Sequence, residues 1–450
     1  MSLLIKGGRV LNPATNTDDV LDVLIDTETK KIVKIEKDIT EENARILDAT
    51  DKFVFPGFID LHVHFRDPGQ THKGDISTES HAAAKGGFTT VCTMPNTTPV
   101  IDNKEQYIYV RDKARGVGLC NVLQVGAITK GMEGKELSDI YGMADEGMIS
   151  ISEDGKSVMD SGLLRDAMKI AKEKNLSVLS HCEDINLVQG GVMNAGKKAR
   201  EFGVNGITNA VENVIEARDI MLAEETGAKL HLCHCSTKES VEMIREAKKR
   251  GIRVSGEVCP HHFALCEDDI PSKEDANFKM NPPLRSKEDV EALKKGLKEG
   301  VLEVISTDHA PHSAEEKSKD FTKAPFGIVG LETAASLTYS ELVLGGYLTP
   351  MQMAEKMSYN PAKVIGIDKG DISVGKIADL VIFDPDKEYE VTEKEFAGKS
   401  KNSPFIGWTL TGKVCATVMG GKITYELREK EEAKGIKKVI QNIVDKFSKS

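Results

Sequence analysis

The sequence predicts an α/β protein, a (β/α)8 TIM-like barrel with a small β-sandwich domain formed by both chain ends. Two patterns predict it. From Val54 onward, short β-rich runs alternate with longer stretches of helical spacing, the signature of parallel strands with helices outside. At the two ends the texture is instead short apolar runs separated by polar turns, as in an all-β unit.

In chain order, residues 1–53 form the N-terminal part of the sandwich, because LLIKGGRVLNP and VLDVLIDTETKKIVKIE alternate in places as a half-buried sheet requires. The barrel follows over 54–366. Its strands are expected in VFPGFIDLHVHF (54–65), FTTVCTMPN (88–96), NVLQVGAIT (121–129), MISISED (148–154), SVLSHCE (177–183), KLHLCHCS (229–236), IRVSGEVCP (252–260) and LEVISTDHAP (302–311). Eight such runs close into a barrel. Between them, SGLLRDAMKIAKEKN and KESVEMIREAKKRG carry helical periodicity, with Lys, Arg and Gly toward the end of the run. Residues 367–425, with DISVGKIADLVIFDP and KVCATVMGGKITYE, return to β texture and complete the sandwich. Residues 426–450 place Ile, Val and Phe at helical spacing among charges, either a docked amphipathic helix or a frayed tail.

Of the 450 residues, 29% are charged and 40% apolar, a globular balance that excludes a disordered chain. The net charge of −11 argues against nucleic acid or an anionic membrane surface as partner, since both reward clustered Lys and Arg. No apolar run approaches the roughly 18–20 residues needed to cross a bilayer. MSLLIKGGRVLNP has too short an apolar core for a signal peptide, so a cytoplasmic protein is expected. The eight cysteines show no paired framework, and reduced thiols are the default.

In a strand, residues two apart share a face, so His62 and His64 can aim at one metal ion. Alone, the pair has an equally simple reading as histidines in polar surroundings. His181, His234 and Asp308 change that, because each sits at or near the carboxyl end of a separate strand run, and those ends converge on one barrel mouth. Imidazoles and carboxylates gathered there call for a cation, since buried charges need partners. Asp154 ends ISISED and supplies a carboxylate able to bridge two ions about 3.5–4 Å apart. Glu153 should face the other way.

This spacing resembles the amidohydrolase superfamily. Asp60-Leu-His-Val-His-Phe-Arg-Asp-Pro-Gly and Thr307-Asp-His-Ala-Pro-His are similar to the dihydroorotase family of the long-chain bacterial and archaeal type. MPNT (94–97), SHCED (180–184), HLCHCST (231–237), KMNPPLR (279–285), APFGIVGLET (324–333) and SVGKIADLVIFDP (373–385) agree, so the resemblance covers nearly the whole chain. It implies zinc, two ions per subunit: His62, His64 and Asp308 on one, His181 and His234 on the other, and Asp154 bridging. Relatives often use a carboxylated lysine as bridge; the alternative here is Lys156, beyond Gly155.

A hydroxide held by two cations is nucleophilic near neutral pH, and a cation polarises the amide carbonyl. Asp308 could serve as proton shuttle, base first and acid second. The implied reaction is reversible cyclisation of N-carbamoyl-L-aspartate to L-dihydroorotate. Arg66, two residues past His64, could grip the free carboxylate bidentately, and Asn96 could bond it too. The resemblance adds Asn281, His312, Phe326 and Gly327 as substrate contacts; Asn281 also reads as a turn residue before Pro-Pro, and His312 as a loop histidine. Cys233 and Cys235 are read as buried thiols pointing away from His234, and His261 and His262 as structural. His72, His81 and His231 lack ligand spacing. The rival readings are another cyclic-amide hydrolase, hydantoinase or allantoinase, and a non-catalytic scaffold partner of aspartate transcarbamoylase. Association with that enzyme and a homo-oligomer are both compatible with the chain.

Overall fold

The structure, a computed structural model, describes residues 2–427; the helix or tail expected over 426–450 lies, from 428 on, outside the described residues. Eight parallel strands form the barrel: Phe58–Val63, Phe88–Thr93, Asn121–Gln124 continued by Gly126–Ala127, Ser150–Ser152, Ser177–Ser180, Lys229–Leu232, Val254–Val258 and Val304–Ile305. The ring closes where Val63 bridges His309 and His64 N–H donates to His309 O at 2.8 Å. Each expected run holds one barrel strand, but the ladders stop early. The carboxyl-terminal part of the runs leaves the sheet, and there stand all the expected metal ligands except His62, which lies within Phe58–Val63.

Helices on the outside follow from local chemistry. Ser161–Glu173 starts at Asp160, whose side chain accepts from Gly162 N and Leu163 N, and buries Leu164, Ala167, Met168 and Ala171 on one face. Lys238–Lys249 is capped by Thr237 and buries Val241, Ile244 and Ala247. Large apolar side chains sunk in this way stabilise the fold by about 1.5–3 kcal/mol each. Among the described residues no helix is long and apolar enough to cross a membrane.

Both chain ends share the second sheet, in the order Lys422–Glu426, Thr409–Met419, Leu380–Glu390, Phe53–Pro56, Ser2–Asn12, Thr17–Asp26, Lys31–Glu36, with Arg45–Asp48 also on Ser2–Asn12. It closes over its own core of Leu3, Ile5, Val23, Ile25, Leu380, Ile382 and Val418. The boundary differs from the expected 53/54. Phe53–Pro56 pairs with Ser2–Asn12 and Leu380–Glu390, so the apolar run from Val54 is two strands belonging to two domains. The chain changes sheet at Gly57, where a Cβ would meet Thr89 Oγ1 at 2.2 Å and only glycine fits. Between Leu380–Glu390 and Thr409–Met419 the chain leaves the sheet and packs Phe396 and Phe405 beside Phe321, Ile328 and Val329 of the barrel loops.

Candidate active site

His62, His64, Asp154, His181, His234 and Asp308 meet at the carboxyl ends of the barrel strands, all buried. Asp154 is the centre. One of its oxygens lies 3.0 Å from His62 Nε2, 3.5 Å from His181 Nδ1 and 3.9 Å from His234 Nε2; the other lies 3.4 Å from His64 Nε2. Asp308 Oδ1 stands 3.1 Å from His64 Nε2 and 3.6 Å from His62 Nε2. His181 Nδ1 and His234 Nε2 are 2.9 Å apart. Arg66, His234 and Asp308 take φ of +61°, +36° and +47°, a left-handed conformation costly for residues with a Cβ and held here by surrounding structure.

Burial opposes charge throughout this cluster, and mutual attraction mostly overrides it. Burial raises the Asp154 carboxyl, but His62 and His64 hold it well below the usual range. Asp308 is likewise held down at about 2 beside His64, and His181 is pushed up to about 10 by Asp154 and Glu183 against its own burial. At His64 burial wins and the pKa falls. Although only 3.0 Å apart, His62 Nε2 and Asp154 Oδ1 have no hydrogen-bond geometry with any group, and both are buried. Buried polar atoms left so are rare in proteins, and a shared cation would satisfy them. Two donor groups suit it, His62–His64–Asp154 and Asp154–His181–His234, with Asp154 common to both. Lys156 is turned elsewhere, its ammonium donating to Met132 O at 3.0 Å. Glu153 faces away from Asp154 and accepts from Ile128 N, Thr129 N and the Thr129 hydroxyl.

A ring of partners that the sequence reading missed orients these side chains. Glu257 bonds His62 Nδ1 at 3.2 Å and His231 Nε2 at 3.0 Å, leaving His62 Nε2 free for the cluster. Glu183 holds His181 Nε2 at 3.2 Å. Asp60 accepts from the Thr307 hydroxyl at 2.6 Å and from the backbone N–H of His62 and Thr307, locking the first strand to the eighth. Glu79 bonds His309 Nε2 at 2.8 Å. We expect Glu257→Gln to weaken metal affinity about 10–100-fold, read by competition with a chromogenic chelator. Unaltered affinity would show that His62 needs no orienting carboxylate.

Arg66, Asn96, Asn281, His312, Phe326 and Gly327 line one cavity of about 200 Å3 together with His64, Asp154, His181, His234 and Asp308. Arg66 is buried; its Nε donates to Pro311 O at 3.2 Å. Desolvation lowers its pKa to about 10 while Asp308 and Asp154 support the charge, so it stays a cation at neutral pH. His312 Nε2 donates to Phe326 O at 2.8 Å and its Nδ1 accepts from Lys73 Nζ at 3.3 Å. Burial and the charges of Arg66, Lys73 and Lys317 press its pKa to about 2, and the ring is neutral. Two of these expected substrate contacts also bond within the protein. Asn96 bonds His64 Nδ1 at 3.0 Å and Asp154 Oδ2 at 3.1 Å, and Asn281 Nδ2 donates to Glu183 at 2.9 Å. A larger groove of about 740 Å3, between helix Lys104–Val117 and the sandwich, contains none of these residues.

Two sequence arguments fail in detail. The sixth barrel strand ends at Leu232, so alternation does not govern Cys233 and Cys235; Cys233 shares a buried group with His62 and Glu257, its thiol pushed up to about 12 by burial. His261 and His262 occupy the short helix Pro260–Ala264, not extended chain, and their rings lie 4.2 Å apart. His231, which lacks ligand spacing, is buried with Ser255 and Glu257 as partners.

Comparison with known proteins places the chain among cyclic-amide hydrolases. A family model described as dihydro-orotase-like matches residues 51–240. The chain is 46% identical over 429 residues to a dihydroorotase of Trichlorobacter lovleyi, covering 95% of this chain and 100% of that one. It is 47% identical over 429 residues to one of Pelotomaculum thermopropionicum, with 95% and 99% covered. Among solved structures, the L-hydantoinase (dihydropyrimidinase) of Arthrobacter aurescens superposes with a TM-score of 0.84 at 27% identity, over 94% of this chain and 96% of that one. The dihydropyrimidinase of Brevibacillus agri NCHU1002 gives 0.82 at 26%, over 95% of each chain. With its full barrel, its sandwich and this degree of identity along nearly its whole length, the chain belongs to the dihydroorotase family.

Proposed function

We propose that this protein is a zinc-dependent dihydroorotase that interconverts N-carbamoyl-L-aspartate and L-dihydroorotate in pyrimidine (UMP) biosynthesis. The observation that carries the reading is the shared cavity: a buried Arg66 cation faces the same small space as the Asp154-centred donor cluster. A cyclic amide bearing a carboxylate needs both.

His62, His64 and Asp308 would hold one zinc ion and His181 and His234 the other, with Asp154 between them. When bound, the two ions supply a water activated at neutral pH and a Lewis acid for the amide carbonyl. Asp308, ionised and beside His64, accepts the proton that the attacking water sheds and delivers it to the departing ring nitrogen. A C–O bond forms, the ring C–N bond breaks, and the proton count closes on the new N–H. Run backward, the same residues close carbamoyl aspartate into the ring. Arg66 grips the substrate carboxylate with the N–H groups that Pro311 leaves free. Asn96 and Asn281 contact the substrate while steadying the donors, and Phe326 and Gly327 form the wall against the ring. Cytoplasmic operation, alone or beside aspartate transcarbamoylase, fits a soluble small-molecule substrate.

Ring opening assayed on dihydroorotate, hydantoin, dihydrouracil and allantoin tests the reading. Metal-replete protein should open dihydroorotate, lose that activity to a chelator and regain it with zinc. Turnover of hydantoin or allantoin without dihydroorotate would sink the assignment, and no turnover at all would favour a scaffold.

A further inference from the structure

We propose that Asn402, with Ser400, is a positioning residue for the substrate cavity: the segment around 396–405 straps together the two barrel loops that carry Arg66 and His312–Gly327. The inference rests on the functional reading above.

This segment comes from the sandwich half of the chain, between Leu380–Glu390 and Thr409–Met419, yet it ends at the back of the cavity wall. Phe396 and Phe405, both buried, pin it on either side. The Asn402 side chain is buried and uses its whole amide on the eighth-strand loop. Its Oδ1 accepts from His312 N–H at 3.1 Å, and its Nδ2 donates to Ala310 O at 3.3 Å and Gly327 O at 3.1 Å. Its carbonyl takes Val329 N–H at 3.0 Å. A single side chain thereby sets the spacing between the two limbs of that loop, 310–312 and 327–329.

The neighbours of Asn402 hold the first-strand loop. Ser400 Oγ donates to Lys73 O at 2.7 Å, and Lys399 Nζ reaches Thr71 O at 2.7 Å and Asp75 at 2.6 Å. Lys73 in turn bonds His312 Nδ1, so the two loops meet in front of the strap as well as behind it. Gly327 has little freedom to adjust: its φ is +126°, and a Cβ there would come within 2.7 Å of the Ala310 Cβ. Its carbonyl is also held by Lys317 Nζ at 2.9 Å. Removing the Asn402 amide would strand the His312 N–H and the Ala310 carbonyl in a buried setting and let the limbs drift, while the metal donors, none of which lies in 310–312 or 327–329, keep their places. Displacements of about 1 Å in such a wall cost up to about 100-fold in rate or binding.

The test is steady-state ring opening of L-dihydroorotate by zinc-loaded, full-length Asn402→Ala. KM should rise about tenfold or more while kcat and zinc content stay within about threefold of the parent. Emission from Trp408, the only tryptophan in the sequence, whose ring lies 5.2 Å from Phe405, should stay native, showing the segment still seated. A merely structural role gives the opposite split, since an unfolded fraction lowers apparent kcat and leaves KM alone; that outcome overturns the proposal. If Asn402→Ala does not fold, Ser400→Ala decides: a KM about threefold higher supports the strap, and an unchanged KM overturns it. A parent protein inert toward dihydroorotate overturns the functional reading and this inference with it, whereas an active parent whose variants keep its KM overturns this inference alone.

Discussion

Asp308→Asn is expected to lower dihydroorotate turnover about 10²–10⁴-fold while at least one metal ion per chain stays bound. Asn keeps the volume and one oxygen facing His64 but loses the lone pair that takes a proton. The effect should be large because no other carboxylate in the cavity is free to substitute. Asp154 is committed between four imidazoles, and Glu183 and Glu257, which do not line the cavity, are each bonded to a histidine. The positive φ of Asp308 adds a constraint, fixing where the carboxylate can stand. Metal content measured alongside kcat separates the roles. A slow variant with metal retained supports the proton shuttle, a slow variant stripped of metal reduces Asp308 to a ligand, and a near-native rate removes it from the mechanism.

The donor set was legible because of how strands present side chains. His62 and His64 share a face by alternation, and His181, His234 and Asp308 each close a β-rich run, which in a parallel barrel means one mouth. What the sequence hid lies one bond further out. Asp60 and Glu257 sit inside the barrel strands Phe58–Val63 and Val254–Val258 and are wholly buried. A carboxylate in such a run demands a partner, and that signal could have exposed them. The Glu79–His309 and Asn402–His312 pairs carry no local mark, since each joins segments far apart in the chain that meet only when the barrel closes. The domain boundary was hidden for a related reason: apolar periodicity runs straight through Gly57 and does not register a change of sheet.

Substrate choice should turn on Arg66. In Arg66→Met the side-chain volume is roughly kept and the cation is lost, so KM for dihydroorotate should rise by about 100-fold or more, equivalent to about 2.7 kcal/mol, within the range of a paired, charge-assisted contact. Arg66→Lys should recover only part of this, because an ammonium is a single point of charge and cannot match a carboxylate with a planar fork. The informative comparison is with dihydrouracil, the same ring without the carboxylate. The Arg66 charge is held in a desolvated site by Asp308 and Asp154, so its role is recognition more than bond-breaking, and turnover of dihydrouracil should survive the substitution. The ratio of the two kcat/KM values is then the measurement. A fall of equal size on both rings would mean that Arg66 acts through its bond to Pro311 and its packing on His312, shaping the cavity rather than reading the substrate.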